Sequence, residues 1–333
     1  VNEVKRVRQA IAPGTFETSR SLPVAVFALV VIAFLFSPEY GGGSLASFDI
    51  FNTFQGFASV GLITLAVGLS MVIGEFDLSV TGMQALGGVL AVKAGQHSGV
   101  LGILAAVAAC GGIGCLQGAL IARLRIGSMP VTLGGYIALL GITSVVADDK
   151  TVPFTNTSAS VWVDHQLTSW ISARGAIAVG CFALAFLVLN FTRAGVDIRA
   201  IGADRRAARV LGVRVNRYVI GVFGVSGAIS ALAGAMLAYS DSVATLNPGI
   251  QPLILAVGGA VLGGVSLAGG RGRMWGLLLG AISVSLLQEV FDVASLSSSS
   301  TELVFGAILI MVVVFDAPGL RVTINQLRGI ATR

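Results

Sequence analysis

The 333-residue chain is 55% hydrophobic and only 11% charged, whereas about a quarter of the residues in a soluble domain are charged. Apolar stretches of about 18 residues or more recur between residues 22 and 316, which points to repeated membrane crossing and excludes an ordinary soluble enzyme. The net charge of +5 is better read by where the cations sit along such a chain than as a nucleic-acid footprint, so no nucleic-acid partner is expected.

A basic start, Lys5, Arg6, Arg8 and Arg20, precedes the first apolar stretch, Leu22 to Phe36. No small-residue cleavage site follows before Ser37-Pro38-Glu39-Tyr40, so a retained first span is expected rather than a removed signal. Hydropathy and the Gly, Pro and charge breaks place helices near 22–36, 56–73, 80–97, 100–122, 130–147, 171–191, 218–239, 252–268, 274–290 and 302–316. The expected fold is therefore all-α, a polytopic transmembrane helical bundle of about ten spans. Its organisation is a cytoplasmic segment at 1–21, a membrane domain at 22–316 with an inner loop at 192–217, and a cytoplasmic tail at 317–333.

An even number of spans puts both termini on one side. With the N-terminus cytoplasmic, 18 of the 21 Lys and Arg collect there, leaving Lys93, Lys150 and Arg174 outside. That segregation supports both the span count and cytoplasmic termini.

Between the second and third spans, Gly74-Glu75-Phe76-Asp77-Leu78-Ser79-Val80-Thr81-Gly82 places two carboxylates in an apolar region. Three roles suit them: Asp77 and Ser79 capping the next helix, a place at the mouth of a transport path or partner contact, or proton coupling. Cys110, Cys115 and Cys181 lie in apolar stretches without CxxC spacing and read as small packing residues. The outer segment, Asp148 to Ser169, holds Asp148, Asp149, Asp164, His165 and Trp162, with Trp170 just beyond it. It reads as a solvated loop with interfacial aromatics or as a surface for an external partner.

The inner segment, Thr192 to Arg217, carries seven arginines and two aspartates. Within it, Ala203 to Gly212 reads as one short amphipathic helix, with Ala203, Ala207, Ala208 and Leu211 on one face, the arginines on the other, and Gly212 as its stop. Small apolar residues beside arginines suit a partner's groove, and equally suit anionic lipid. Between the eighth and ninth spans, Gly263-Gly264-Val265-Ser266-Leu267-Ala268-Gly269-Gly270-Arg271-Gly272 echoes the first junction. Leu65-Ala66-Val67-Gly68 reappears as Leu255-Ala256-Val257-Gly258, and at the same offset Gly74 meets Gly264 and Gly82 meets Gly272. Internal repeats of this kind are common in transporters, and chance agreement is the other account in a chain with 44 glycines.

A phosphate-binding GxxxxGK[ST] loop requires Gly-Lys, and the three lysines follow Val4, Val92 and Asp149. The two histidines, His97 and His165, offer neither a metal pair nor a catalytic triad. Four polar side chains in or near spans, Gln84, Gln117, Asn247 and Gln288, are candidates for contacts with a neutral polyol, too scattered to rank.

The junction Gly-Glu-Phe-Asp-Leu-Ser-Val, the segment Ala200 to Val213 and the segment Val261 to Gly272 together resemble the ribose/xylose-type permeases of bacterial ABC sugar importers, over roughly Phe51 to Phe315. The resemblance implies a permease pair in the bacterial inner membrane, formed with a second copy or a homologous permease and bathed in membrane lipid. It also implies an ABC ATPase subunit on the cytoplasmic face and an external solute-binding protein. The permease itself is then no enzyme and binds no cofactor, ATP and Mg being held by the partner ATPase.

The same resemblance gives Ala203, Asp204, Arg205, Arg206, Ala207, Ala208, Arg209 and Gly212 to ATPase coupling. Glu75, Phe76, Asp77, Ser79, Gly264 and Ser266 fall to the translocation path or gate. Where the family commonly reads Gly-Gly-Ile-Asp-Leu-Ser-Val-Gly, this chain has Glu75 for the second glycine, Phe76 for isoleucine and Thr81 for the last glycine. The expected function is import of a monosaccharide or sugar alcohol. The alternatives are a secondary transporter driven by ions or protons through Glu75 and Asp77, and a permease of the same architecture for a branched-chain amino acid.

Overall fold

The computed structural model describes residues 24–32, 47–266, 269–295 and 297–316. The segments expected at 1–21 and 317–333 lie outside the described residues, as do Leu267 and Ala268 of the second junction. A helical segment at 24–32 is followed by α1 (Ser47–Val72), α2 (Val80–Gly95), α3 (Gly99–Leu124), α4 (Ser128–Ala147), α5 (Thr157–Asp164), α6 (Ala173–Phe191), α7 (Arg193–Ala203), α8 (Arg205–Val210), α9 (Val215–Ser240), α10 (Gln251–Leu262), α11 (Met274–Val293) and α12 (Ser298–Asp316). Two small antiparallel pairs join β1 (Val152–Pro153) to β4 (Val243–Ala244) and β2 (Gln166–Thr168) to β3 (Ile171–Ser172).

Helix occupies each apolar stretch read as a span. Among the described residues six helices, α1 from Ile50, α3, α4, α6, α9 and α11, are long and apolar enough to cross a membrane. By contrast α2 and α10, with 16 and 12 residues, reach about 24 and 18 Å at 1.5 Å per residue, short of the roughly 30 Å hydrocarbon core. Both shorter helices border broken segments. The span expected to run through 252–268 stops at Leu262 because Gly264 takes φ +76°, a left-handed conformation that ends a helix.

The core is built around α1 and α9. Leu62, Ile63, Leu65, Ala66, Val67 and Val72 of α1 are wholly buried, and α1 packs against α9, α10, α11 and α6. Close approach of α9 to α3 and α2 rests on missing side chains: a methyl at Gly114 of α3 would strike the Phe223 carbonyl, and one at Gly234 of α9 would strike that of Gln84. Apolar side chains on the opposite faces of α3 and α4, such as Leu116, Leu133, Ile137 and Val145, are exposed, as a lipid-facing surface requires.

Helix direction sorts the connections to two ends of the bundle. One end gathers 73–79, the arginine-rich segment from Thr192 to Arg214 and the second junction. The other gathers Gln96, 148–172 and 241–244. The outer segment, read as a solvated loop or a surface for an external partner, carries local structure there: α5 is capped by Asn156, whose side chain accepts the Ala159 N–H, and Val152 pairs with Ala244. Phe154 stacks on Tyr239 with ring centroids 4.1 Å apart.

Candidate functional site

The first junction begins where α1 ends. Gly74 adopts φ +83°, its N–H donates to Met71 O at 3.0 Å, and the Glu75 N–H donates to Ser70 O at 2.9 Å. The second junction repeats this closure at the offset read from the sequence: Gly264 has φ +76°, its N–H donates to Val261 O at 2.8 Å, and the Val265 N–H donates to Ala260 O at 3.0 Å. This is the glycine stop that satisfies orphan carbonyls at a helix end. The likeness ends there, because Gly82 lies within α2 against Leu139 while Gly272 lies in the loop before α11.

Asp77 is 2% exposed, with both carboxylate oxygens engaged. Oδ1 accepts the Ser79 N–H at 2.9 Å and the Ser79 hydroxyl at 2.6 Å, and Oδ2 accepts the Ser226 hydroxyl of α9 at 2.8 Å. Ser79 Oγ also lies 2.8 Å from the Gln117 side chain of α3. The expected capping of α2 by this pair is not made: Asp77 accepts from Ser79, the residue that precedes α2, and neither side chain bonds an N–H of the helix itself. Phe76 ties the junction to α4: its N–H donates to Ser128 Oγ at 3.1 Å, and its carbonyl accepts the Thr132 hydroxyl at 3.3 Å. In the second junction the Ser266 N–H donates to Arg271 O and its carbonyl accepts the Gly269 N–H.

Glu75 turns the other way. Its side chain is 9% exposed and forms an ion pair with Arg205, the first residue of α8. The helix expected from Ala203 to Gly212 is divided: Ala203 ends α7, Asp204 caps α8 by accepting the Arg206 and Ala207 N–H groups at 2.8 and 3.0 Å, and α8 stops at Val210 before Gly212 at φ +83°. A single continuous helix is thus corrected to two, because an extended Asp204 exchanges helical continuity for a side-chain cap. The expected alanine face is split as well. Ala208 is buried, whereas Ala203, Ala207, Val210 and Leu211 are exposed, the last two at 87% and 79%.

At this end three backbones meet at glycine. The Gly270 N–H donates to Val72 O at 3.1 Å. A methyl on Gly202 would strike that carbonyl and the backbone of Gly270, and one on Gly269 would strike the Cα of Gly74. The seven expected coupling residues other than Gly212 and the path residues Glu75 and Gly264 thus belong to two neighbouring regions joined through Gly202 and Arg205. Sequence separation hid that join.

Of the four polar candidates, Gln84 stands apart. Its Oε1 is the buried side-chain oxygen without a hydrogen-bond partner among the described residues. It borders a cavity between α2 and α9, closed by Val243, Thr245 and Pro248. Gln117 lies at hydrogen-bond distance from Ser79, and the Asn247 oxygen accepts the Gly249 N–H. A buried unmet acceptor next to open space is the signal that ranks Gln84, and it exists only in three dimensions.

A family model described as branched-chain amino acid transport system / permease component matches residues 50–313. The chain is 30% identical over 264 residues to an L-arabinose ABC transporter permease protein of Azospirillum brasilense, covering 77% of this chain and 76% of that protein. It is 30% identical over 305 residues to the ribose import permease protein of Escherichia coli K12, covering 88% and 92% of the two chains. It is 29% identical over 325 residues to a fructose import permease protein of Rhizobium meliloti, covering 94% and 89%.

Proposed function

The chain belongs to the branched-chain amino acid transport system / permease component family, and from its likeness to sugar permeases we propose that it carries a monosaccharide or sugar alcohol through the membrane for an ABC importer. It is a transport component and not an enzyme, a multi-pass protein of the bacterial inner membrane. The relatives named for arabinose, ribose and fructose support the solute class.

The observation that carries the coupling role is the tip of the inner segment. Val210 and Leu211 are exposed large apolar side chains beside Arg206 and Arg209, on a connection rather than a lipid-facing helix. Apolar side chains ringed by cations suit a groove edged with carboxylates on a partner ATPase. In this reading about ten spans cross with both termini cytoplasmic, and the arginine-rich end faces the ATPase, which holds ATP and Mg. The opposite end meets a loaded solute-binding protein, and a second permease completes the pore. ATP-driven closure of the ATPases pushes the tips, and the two junctions around Gly74 and Gly264 respond by changing access to the path. Gln84 offers an acceptor for a sugar hydroxyl on that path.

Uptake of radiolabelled L-arabinose, D-ribose, D-fructose and leucine, with ATP depleted while the proton gradient is held, tests the reading. Sugar uptake that stops with ATP depletion is expected. Uptake persisting on the gradient alone overturns it in favour of an ion-driven transporter acting through Glu75 and Asp77, and uptake of leucine alone moves the solute class to branched-chain amino acids.

A further inference from the structure

We propose that the Glu75–Arg205 ion pair, seated on the Gly74–Gly202–Gly269 backbone seam, is the clasp through which the inner tip moves both glycine junctions. The proposal rests on the importer reading above and assigns Glu75 and Arg205 as positioning residues within it.

The geometry is specific. Arg205 opens α8, so it sits at the base of the exposed tip and moves with it. Glu75 lies one residue beyond the glycine that ends α1, so it reports on the orientation of the first junction. Its nearly buried carboxylate meets Arg205 across 130 residues of sequence. Removing Arg205 leaves the nearly buried Glu75 carboxylate without its cation, which ties the two segments together more firmly than a fully exposed pair would.

The backbone around the pair leaves no slack. Gly202 lies against Val72 O and Gly270, Gly269 lies against Gly74, and the Gly270 N–H bonds to the last carbonyl of α1. Packed backbones transmit displacement because they do not deform continuously. Downstream, the first junction holds α3, α4 and α9 through Gln117, Ser128, Thr132 and Ser226. A push on the tip therefore reaches four spans through one connected set of contacts. Glu75 stands where the resembled family commonly has glycine, so the clasp is a feature of this chain and not of the pattern.

The test measures uptake and ATP hydrolysis together in proteoliposomes holding the assembled transporter, with D-ribose, L-arabinose or D-fructose as the probe according to which the unaltered protein carries. Glu75→Gln and Arg205→Met are each expected to lose sugar carried per ATP hydrolysed by about ten-fold, within the ordinary range of coupling between sites. The exchanged pair, Glu75→Arg with Arg205→Glu, is expected to recover most of that ratio, and Gly202→Ala to lose it with the ion pair intact. An unchanged ratio in both single variants overturns the clasp, as does an exchanged pair no better than either single. Loss of co-purification with the ATPase that the exchange does not repair also overturns it, because the pair then serves folding alone. Failure of the unaltered protein to carry any of the three sugars on ATP counts against the importer reading instead.

Discussion

At the end of the bundle that carries Gly74, Gly202 and Gly269, three segments meet backbone to backbone, and one ion pair seals them. At the opposite end Val152 pairs with Ala244 through the backbone, and a network of polar side chains adds to that tie. Arg174 Nε lies 2.9 Å from Asp164 Oδ1 and 2.6 Å from Gln55 Oε1, Ser172 donates to Gln55, and Ser240 donates to Asp164. Backbone contact at glycine fixes separation and admits no substitute atom, while a polar side-chain network rearranges when water or a partner supplies other hydrogen bonds. The first arrangement suits transmission of force, and the second suits a surface that opens and recloses.

The largest effect that sharpens this contrast lies at the tip. Leu211→Asp places a charge on an exposed apolar residue of the proposed docking tip and is expected to lower uptake at least about 30-fold, the scale of an interface hot spot, with thermal stability unchanged. Retained uptake, measured beside co-purification of the ATPase, would show that the tip docks nothing. Ala208 is a poor site for the same experiment, since it is 1% exposed and a larger residue there strains the core.

An intermediate effect belongs to the opposite end. Arg174→Met leaves Asp164 without its cation and is expected to lower stability by about 1–3 kcal/mol in thermal or denaturant unfolding, while sugar carried per ATP stays as before. A changed transport ratio at full stability would erase the distinction between the ends.

The smallest expected effect concerns pH. Backbone bonds from Ala207 and then Arg206 hold the Asp204 carboxyl below its ordinary pKa. Because the folded value is depressed, the cap is fully present above the ordinary carboxylate pKa and is lost as pH falls through the depressed one. Amide exchange at Arg206 and Ala207, relative to the rest of the chain, should lose protection on acidification, and Asp204→Asn should remove that pH dependence. Equal dependence in both proteins would refute the cap as its source.

Local features were legible in the residues. The apolar stretches gave the helices, Gly212 gave a stop, and the arginines marked one end, while the stops at Gly74 and Gly264 were not legible although their matching offset was. The division of the inner helix at Asp204 was hidden because Ala203 to Leu211 has helical periodicity throughout, and only the extended backbone at Asp204 ends α7 and caps α8. The facing of Ala208 and Ala207 was misread for a related reason: periodicity gives the angle between residues on a helix, not which side meets a neighbour.

The sequence by itself determined that this is a membrane-embedded helical chain with one cationic end and two glycine-rich junctions at a matching offset, because hydropathy, charge and glycine content are local properties. Only the tertiary structure decided that Glu75 faces Arg205, that Asp77 anchors Ser226, that Val152 pairs with Ala244 and that Gln84 is left with an unmet oxygen. Those contacts join residues far apart in the chain, and no local preference encodes them; they exist once packing of α1, α3 and α9 has fixed which surfaces meet.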